Sequence, residues 1–537
     1  MTAAAQFSPD VVVIGAGMGG GLAGRALAEA GLSVLFLERG PTPPRRAVNA
    51  MAAEPGNASA RELLGCWPAP TRAIIGGVPS LPVANQGVGP GGTSAFYGAA
   101  LERPARRDLE TVGAMAHPTG GWPVGHDEFA PWFDRAQQLL YLSGTSDPLG
   151  DPPAVPLLTP PPLSPAHEAQ VAQLRRRGLH PYRTPLGIRY LPGCLECIGH
   201  RCPLSCKMDG RSAGVEPALA TGRAQLWDRA VVRRLLGRGR RVEGVEVEVE
   251  GRLRIVRAPV VVLAAGAMSS PRLLLASASE DWPQGCANGS GLVGRGLMFH
   301  LDEMFALWAP RGLSRQGPRK TFSLRDFYDG AGVPGLEPAA PERLGLVQAL
   351  GVRAEYGLIL AALRARLESS ALHRLPGLRL ALHLPAAMAA RLLGSADLYA
   401  AMIEDLPSDE NRVLYDPDNP DDLLFTYDFP AELLARRHRL RRQLVRRFGR
   451  GRILFLNHRP EPNLAHACGT LRFSDDPARG VLDRDCRAHE LDNLYVADAS
   501  FMPTSTGVNP SLTIAANALR VAGIIAASRS ASRKGVS

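Results

Sequence analysis

Apolar residues follow two rhythms over the first forty positions. VVVIG, beginning at Val11, is a short, largely β-branched run, as a strand buried on both faces requires. From about Met18 to Ala30 the chain turns Ala- and Leu-rich and Gly31 closes the run, which predicts a helix. SVLFLE then predicts a second strand. Between Gly244 and Leu263 the period drops to two in GVEVEVEGRLRIVRAPVVVL, a hairpin or meander followed by a buried strand. NRVLYD and LLFTYDF predict two more strands, and a very basic helix is expected from Pro430 to Phe448. The stretch from about Leu344 to Met402 is Leu/Ala/Arg-rich and predicts helices broken at Pro376 and Pro385. Thr42 to about Pro90 is Pro/Gly-rich and aperiodic, so it is expected to wrap or loop, and Pro152 to Pro165 to form a surface excursion.

The turn after the first strand is Gly15-Ala16-Gly17-Met18-Gly19-Gly20, with Gly24 beyond it. Gly15 permits the turn and Gly17 lets a pyrophosphate approach the backbone. Gly20 and Gly24 allow helix and strand to pack closely. Glu38 ends the second strand, where a carboxylate accepts from ribose hydroxyls. Strand, glycines, helix, strand and acid in that order predict a dinucleotide site. They do not separate FAD from NAD.

The 537 residues exceed one simple core and call for two or three domains. At 45% hydrophobic and 21% charged, the composition is that of a soluble globular protein. The net charge of +10 comes mostly from arginine. No basic block interleaved with aromatics points to nucleic acid. No signal peptide and no uninterrupted apolar stretch of membrane-spanning length is visible, so a cytoplasmic location is expected, with export beside a signal-bearing partner as the alternative.

Distant segments narrow the reading. GVGPGGTSAFYGAALERP (Gly87 to Pro104) and the long C-terminal stretch from His466 to Ala522 resemble the glucose–methanol–choline (GMC) family of flavin oxidoreductases. GWPVGHDEFAPWFDRA, AAGAMSSPRLLLAS, GLVGRGLMFH and LPSDENRVLYD extend the resemblance in order along the chain. Residues from about 305 to 400 lack it. The resemblance implies an α/β protein, α+β overall, with a discontinuous Rossmann-like FAD-binding domain. That domain would take residues 1–145, 185–300 and 460–537, with an inserted substrate-binding cap at 301–459 and a surface excursion at 146–184. It implies that Gly91, Gly92, Thr93 and Ser94 pass close to the cofactor, with Val232, Asp498, Ala499, Asn509, Pro510 and Thr513 also in contact. The helix beginning after NPS would stabilise reduced flavin through its N-terminal amides.

The family's catalytic pair maps onto His466 and Asn509. An imidazole suits removal of a hydroxyl proton near neutral pH, and an amide holds the substrate oxygen without competing for that proton. Phe96 and Tyr97 stand where some members attach flavin through a histidine, so non-covalent FAD is expected. The function implied is oxidation of a CH–OH group of an alcohol, sugar or hydroxylated metabolite. Two alternatives remain: an iron–sulfur dehydrogenase subunit feeding a cytochrome or quinone, and a non-redox flavoprotein such as a lyase, cyclase or photoenzyme.

Four of eight cysteines cluster as Cys194-x2-Cys197-x4-Cys202-x3-Cys206, followed by Lys207. The last three resemble the spacing in cluster-bearing bacterial members of the family. Iron–sulfur ligation, zinc, and disulfides or packed thiols all stay open. A cluster would send electrons to a cytochrome; without one, O2 or a quinone is the expected acceptor. Cys66, Cys286, Cys468 and Cys486 read as buried thiols. In the cap, Arg353, Arg364, Arg366, Arg379 and Arg391 interrupt apolar helix faces. Amphipathic packing, a channel for a lipophilic alcohol and a patch for peripheral membrane contact are the readings there.

Overall fold

A computed structural model describes residues 8–45, 65–82, 86–113, 115–328, 343–368, 375, 377–393 and 396–534. Five parallel strands form the first layer, in the order Leu494–Val496, Val260–Leu263, Val11–Ile14, Val34–Leu37 and Ala224–Trp227. The central three are fully buried, which explains their unbroken apolar sequence. Because the strands are parallel, their carboxyl ends share one edge. Gly15, Glu38, Ala264 and Ala497 follow directly from four of them. Helix Met18–Glu29 packs so closely that a Cβ on Gly24 would lie 2.2 Å from the Phe36 ring. The expected meander is present as Ala230–Arg238, Arg241–Val249 and Arg252–Val256, all antiparallel.

The second layer is a seven-stranded sheet. Its main path runs Ile453–Phe455, Met298–Trp308, Ala396–Ile403, Leu346–Arg353, Phe322–Leu324 and Tyr182–Arg183, with Pro462–Cys468 also paired to Met298–Trp308. This corrects the expectation of helix throughout 344–402. Leu346–Arg353 and Ala396–Ile403 are strands, and only the middle holds helices Tyr356–Glu368, Leu378–Ala381 and His383–Leu393. Both strands are buried on both faces, so they carry continuous apolar runs that length alone separates from helix. Pro385 sits in the first turn of its helix, where proline is tolerated, and Pro376 lies outside the described residues.

Between Thr42 and Pro90 the described residues include strands Thr71–Ile75 and Val78–Ser80. Thr71–Ile75 pairs with Leu423–Tyr427, which also pairs with Arg412–Leu414. These two are the expected NRVLYD and LLFTYDF strands. The excursion at 146–184 is more than surface. Helix Pro165–Arg176 is capped by Ser164, and its Val171 and Leu174 enter the second core.

The C-terminal helix Ser511–Lys534 packs on Met18–Glu29 and His126–Leu139. By length and composition its stretch Ser511–Ala531 matches a membrane span, against the sequence expectation that none would. Its burial between those two helices accounts for the apolar composition. The basic helix Ala431–Phe448 lies on the second sheet through Leu433, Leu440 and Leu444. Arg437 and Arg441 both reach the fully buried Glu303 at 2.8 Å.

Removing that carboxylate strands one fully buried guanidinium and one partly buried one. Glu303→Ala is expected to cost about 3–5 kcal/mol of unfolding free energy, read by urea denaturation. A loss below about 1 kcal/mol would contradict this packing.

Candidate functional site

One elongated cavity of about 340 Å³ starts at the first glycine turn and ends between the two layers. Its floor is backbone. Gly15 has φ +97°, and a Cβ there would stand 2.4 Å from the Ala264 carbonyl oxygen. Gly17 faces open space, with no atom within 4 Å of a built Cβ. The second glycine loop lies across the first: Gly91 N donates to Ala16 O at 2.8 Å. Gly92 has φ +50°, and a Cβ there would be 3.1 Å from Gly17 Cα. Glu38 ties the turn together by accepting from the backbone N–H groups of Ala16, Gly40 and Gly89, each at 2.9 Å.

Asp498 performs the same task on the next strand end. Its carboxylate accepts from Gly266 N at 2.9 Å, Ser270 Oγ at 2.5 Å and Ser500 N at 2.9 Å. Burial nevertheless pushes its pKa above the ordinary carboxylate value. Thr93, Ser94, Val232, Ala499 and Pro510 also line the cavity. Gly91 and Thr513, expected beside the cofactor, are not among the lining residues, and neither is Gly20. Gly20 allows the helix to close on Gly15, as expected: a Cβ there would stand 2.0 Å from Gly15 O. Thr513 is fully buried in the C-terminal helix. The arrangement suits FAD: room over Gly17 for phosphate, a carboxylate at a strand end, and helix N-termini at Gly17 and Pro510–Ser511 on one cavity.

The far end holds the expected histidine and asparagine. His466 sits on Pro462–Cys468, and its Nδ1 lies 2.9 Å from Nδ1 of His300 on the neighbouring strand. His300 Nε2 lies 2.9 Å from the carbonyl oxygen of Thr506. A carbonyl only accepts, so His300 Nε2 carries its proton. Burial lowers the His300 pKa to about 4, so the ring is neutral and its Nδ1 is bare. That nitrogen accepts from His466 Nδ1, which leaves His466 Nε2 unprotonated. Asn463 Nδ2 donates to Asp302 Oδ2 at 2.9 Å and lies 3.2 Å from the same His466 nitrogen, a packing contact and not a second hydrogen bond, because a protonated Nδ1 has no lone pair to accept one. Burial first, then the electrostatic influence of the adjoining His300 ring and of Lys320, holds the His466 pKa well below 6.5.

Asn509 faces the same cavity. Its Oδ1 accepts from Gln348 Nε2 at 3.1 Å and its Nδ2 donates to Met402 Sδ at 3.4 Å, leaving a second amide hydrogen for a guest. The structure thus brings the expected His466 and Asn509 to one end of one cavity. Sequence reasoning missed His300, Gln348 and Lys320. His300 was visible at the end of GLVGRGLMFH, but its partner is 166 residues away.

The cysteine segment does not fit the metal readings. The four sulfurs lie in one cluster and hydrogen-bond to one another in pairs, Cys197 with Cys202 and Cys194 with Cys206. Among the described residues no group of three or more His, Cys, Asp or Glu is placed to hold a metal ion. Lys207 closes the segment by donating to the carbonyls of Tyr97, Cys197 and His200. Backbone at positive φ in Glu196, Cys197 and Ser205 turns the segment back on itself and gathers the four thiols, which bond to one another in these pairs. The iron–sulfur and zinc readings of Cys194, Cys197, Cys202 and Cys206 are therefore not supported. The other four cysteines are buried thiols, as expected.

Two GMC oxidoreductase family models match the chain, over residues 82–302 and 448–518. A 6'''-hydroxyparomomycin C oxidase of Streptomyces lividus is 30% identical across 98% of this chain and 92% of its own length. A paromamine 6'-oxidase of Streptomyces fradiae is 31% identical across 96% of this chain and 91% of its own. The solved structure of a pyridoxine 4-oxidase from Mesorbium loti superposes with a TM-score of 0.61 at 21% identity, covering 96% of this chain and 98% of that one. This chain belongs to the GMC oxidoreductase family. It is an FAD-dependent oxidoreductase acting on a CH–OH group, and nothing in these relationships favours the cluster-bearing or non-redox alternatives.

The open room over Gly17 gives a direct test. Its φ of −76° suits any residue, so Gly17→Val is expected to fold with a normal melting transition. The branched side chain fills the phosphate space, and the purified variant is expected to lack visible flavin absorbance. A full complement of FAD in Gly17→Val would contradict the cradle described here.

Proposed function

We propose that this member of the GMC family takes the hydroxyl proton of an alcohol onto His466 Nε2 while the Asn509 amide holds the alcohol oxygen. FAD, when bound, supplies the acceptor for the hydride that leaves the carbon. The observation that carries the reading is the imidazole pair, because it fixes His466 with its bare nitrogen available. His300 positions that base through Nδ1, and Thr506 sets the His300 tautomer. Gln348 and Met402 hold Asn509, so the oxygen-binding amide is fixed by the second sheet. In this reading the parallel layer serves the cofactor and the seven-stranded layer serves the substrate, an alcohol or sugar-like small molecule.

The electron acceptor is read as O2 or a quinone rather than a cytochrome. The pairing of the cysteine sulfurs supports direct transfer from flavin. Leu380, Leu384, Met388 and Leu392 recur every fourth residue and are each at least 65% exposed. That apolar stripe supports peripheral contact with a membrane surface, where a lipid-borne quinone resides.

Anaerobic stopped-flow reduction tests the base. His466→Ala is expected to keep FAD and to slow flavin reduction by about a hundredfold to ten-thousandfold. An unchanged rate would remove His466 from the chemistry. The acid side of the pH profile gives a second test. Protonation disables the base, and it occurs only as pH falls through a pKa held well below 6.5. At saturating substrate the reduction rate of the native enzyme is therefore expected to stay level from about pH 8 down to about pH 6.5. A fall centred on the ordinary histidine value would contradict the buried neutral imidazole.

A further inference from the structure

The reacting end of the cavity holds a cation that the proton transfer does not use. The chain has only three lysines, Lys207, Lys320 and Lys534, against many arginines. Lys207 is committed to three backbone carbonyls. Lys320 is not committed. It lines the cavity with His466 and Asn509, and only 5% of its surface is exposed. Its ammonium lies over Gly98, where a built Cβ would stand 2.7 Å from Nζ. A side chain at Gly98 would take the space that the ammonium occupies.

Among the described residues no oxygen accepts a hydrogen bond from Lys320 Nζ. Glu102 and Glu196 act on it only through space. The Glu102 carboxylate accepts from Tyr182 and Ser323, and the Glu196 carboxylate accepts from Tyr190 and Arg319 N. The ammonium is mostly buried, its exposed remainder faces the cavity, and no acceptor among the described residues meets it there, so a guest that brings an acceptor suits it. Burial lowers the Lys320 pKa to about 8, so the cation persists at neutral pH.

The cavity offers the opposite charge no welcome. Its carboxylates are Glu38 and Asp498. Glu38 is held by three backbone N–H donors, and Asp498 by Gly266, Ser270 and Ser500. Both belong to the cofactor cradle. A guest ammonium would meet Lys320 and find no uncommitted carboxylate among the described residues lining the cavity.

We propose that Lys320 is a substrate anchor and that the alcohol oxidised here carries an anionic group, a carboxylate in the simplest case. The proposal rests on the reading of this cavity as a CH–OH oxidation site. It names the substrate class as hydroxy acids, sugar acids included, and disfavours amino alcohols. Lys320 acts by binding and orientation, and the proton still goes to His466.

Three two-carbon alcohols share one CH2OH group and differ only in charge: glycolate, ethylene glycol and ethanolamine. The holoenzyme is mixed anaerobically with each, and the second-order rate of flavin reduction is compared. The expected order is glycolate, then ethylene glycol, then ethanolamine, with at least about a tenfold preference for the anion over the neutral alcohol. Lys320→Met is expected to erase that preference, and Lys320→Arg to restore part of it. Acetate, which is not oxidised, is titrated in parallel against the flavin spectrum. Its binding is expected to weaken at least about tenfold in Lys320→Met and to persist in His466→Ala. Failure of the oxidation reading therefore shows as absent reduction with acetate binding intact. Failure of the anchor shows as a charge preference or acetate affinity that Lys320→Met leaves unchanged. A shifted flavin midpoint potential in Lys320→Met with acetate affinity unchanged would assign the cation to the cofactor and overturn the proposal. Lys320→Gln serves as the second variant if Lys320→Met does not fold.

Discussion

A single hydrogen bond between a buried imidazole and a half-buried one that lines the cavity joins the parts of this enzyme. His300 belongs to the long strand of the second sheet, and His466 to the strand paired with it. Thr506, which orients His300, lies just before Asn509 and the helix that meets the cofactor cradle. The bond is useful only because both rings are neutral. Burial enforces that state on each of them. In water the same pair would titrate near pH 6.5 and exchange tautomers freely. Withdrawn from water, with a carbonyl at one end, the pair has one arrangement, and that arrangement leaves a bare nitrogen facing the cavity.

The parallel layer supplies the complementary constraint. Parallel strands end on one edge, so Gly15, Glu38, Ala264 and the loop bearing Asp498 gather without any contact close in sequence. The cradle is backbone packed on backbone, with the Gly91–Gly92 loop lying on the Gly15–Gly17 turn. Side chains enter as ties between loops, Glu38 on one strand end and Asp498 on another. A long cofactor can then lie against main chain, while the second sheet brings Gln348 and Met402, and the segment leading into Phe322–Leu324 brings Lys320, to the reacting end.

Local pattern was enough for the first layer. The strand Val11–Ile14, its glycines, Gly24 against Phe36 and the alternating meander all behave as their periods imply. His466 and Asn509 were legible through their C-terminal segments, which the family resemblance supplied. The second layer was not legible in the same way. Leu346–Arg353 and Ala396–Ile403 are buried on both faces, so they lose the alternation that marks a strand. The cysteine segment gathers its four thiols as the spacing implied, but they hydrogen-bond to one another in pairs, and spacing alone does not distinguish that from a metal site. Lys320 belongs to no motif. Its only sequence signal is rarity, and its meaning comes from the lack of a partner in three dimensions.

The central claim is that His466 stands as a neutral imidazole with its proton on Nδ1. Long-range proton–nitrogen NMR on histidine-labelled protein observes this directly, with His466→Gln identifying the signal. The account predicts a protonated Nδ1, a bare Nε2, and shifts that do not move from about pH 8 to about pH 6. A His466 signal that titrates with a midpoint at the ordinary histidine value, or that carries its proton on Nε2, would contradict it.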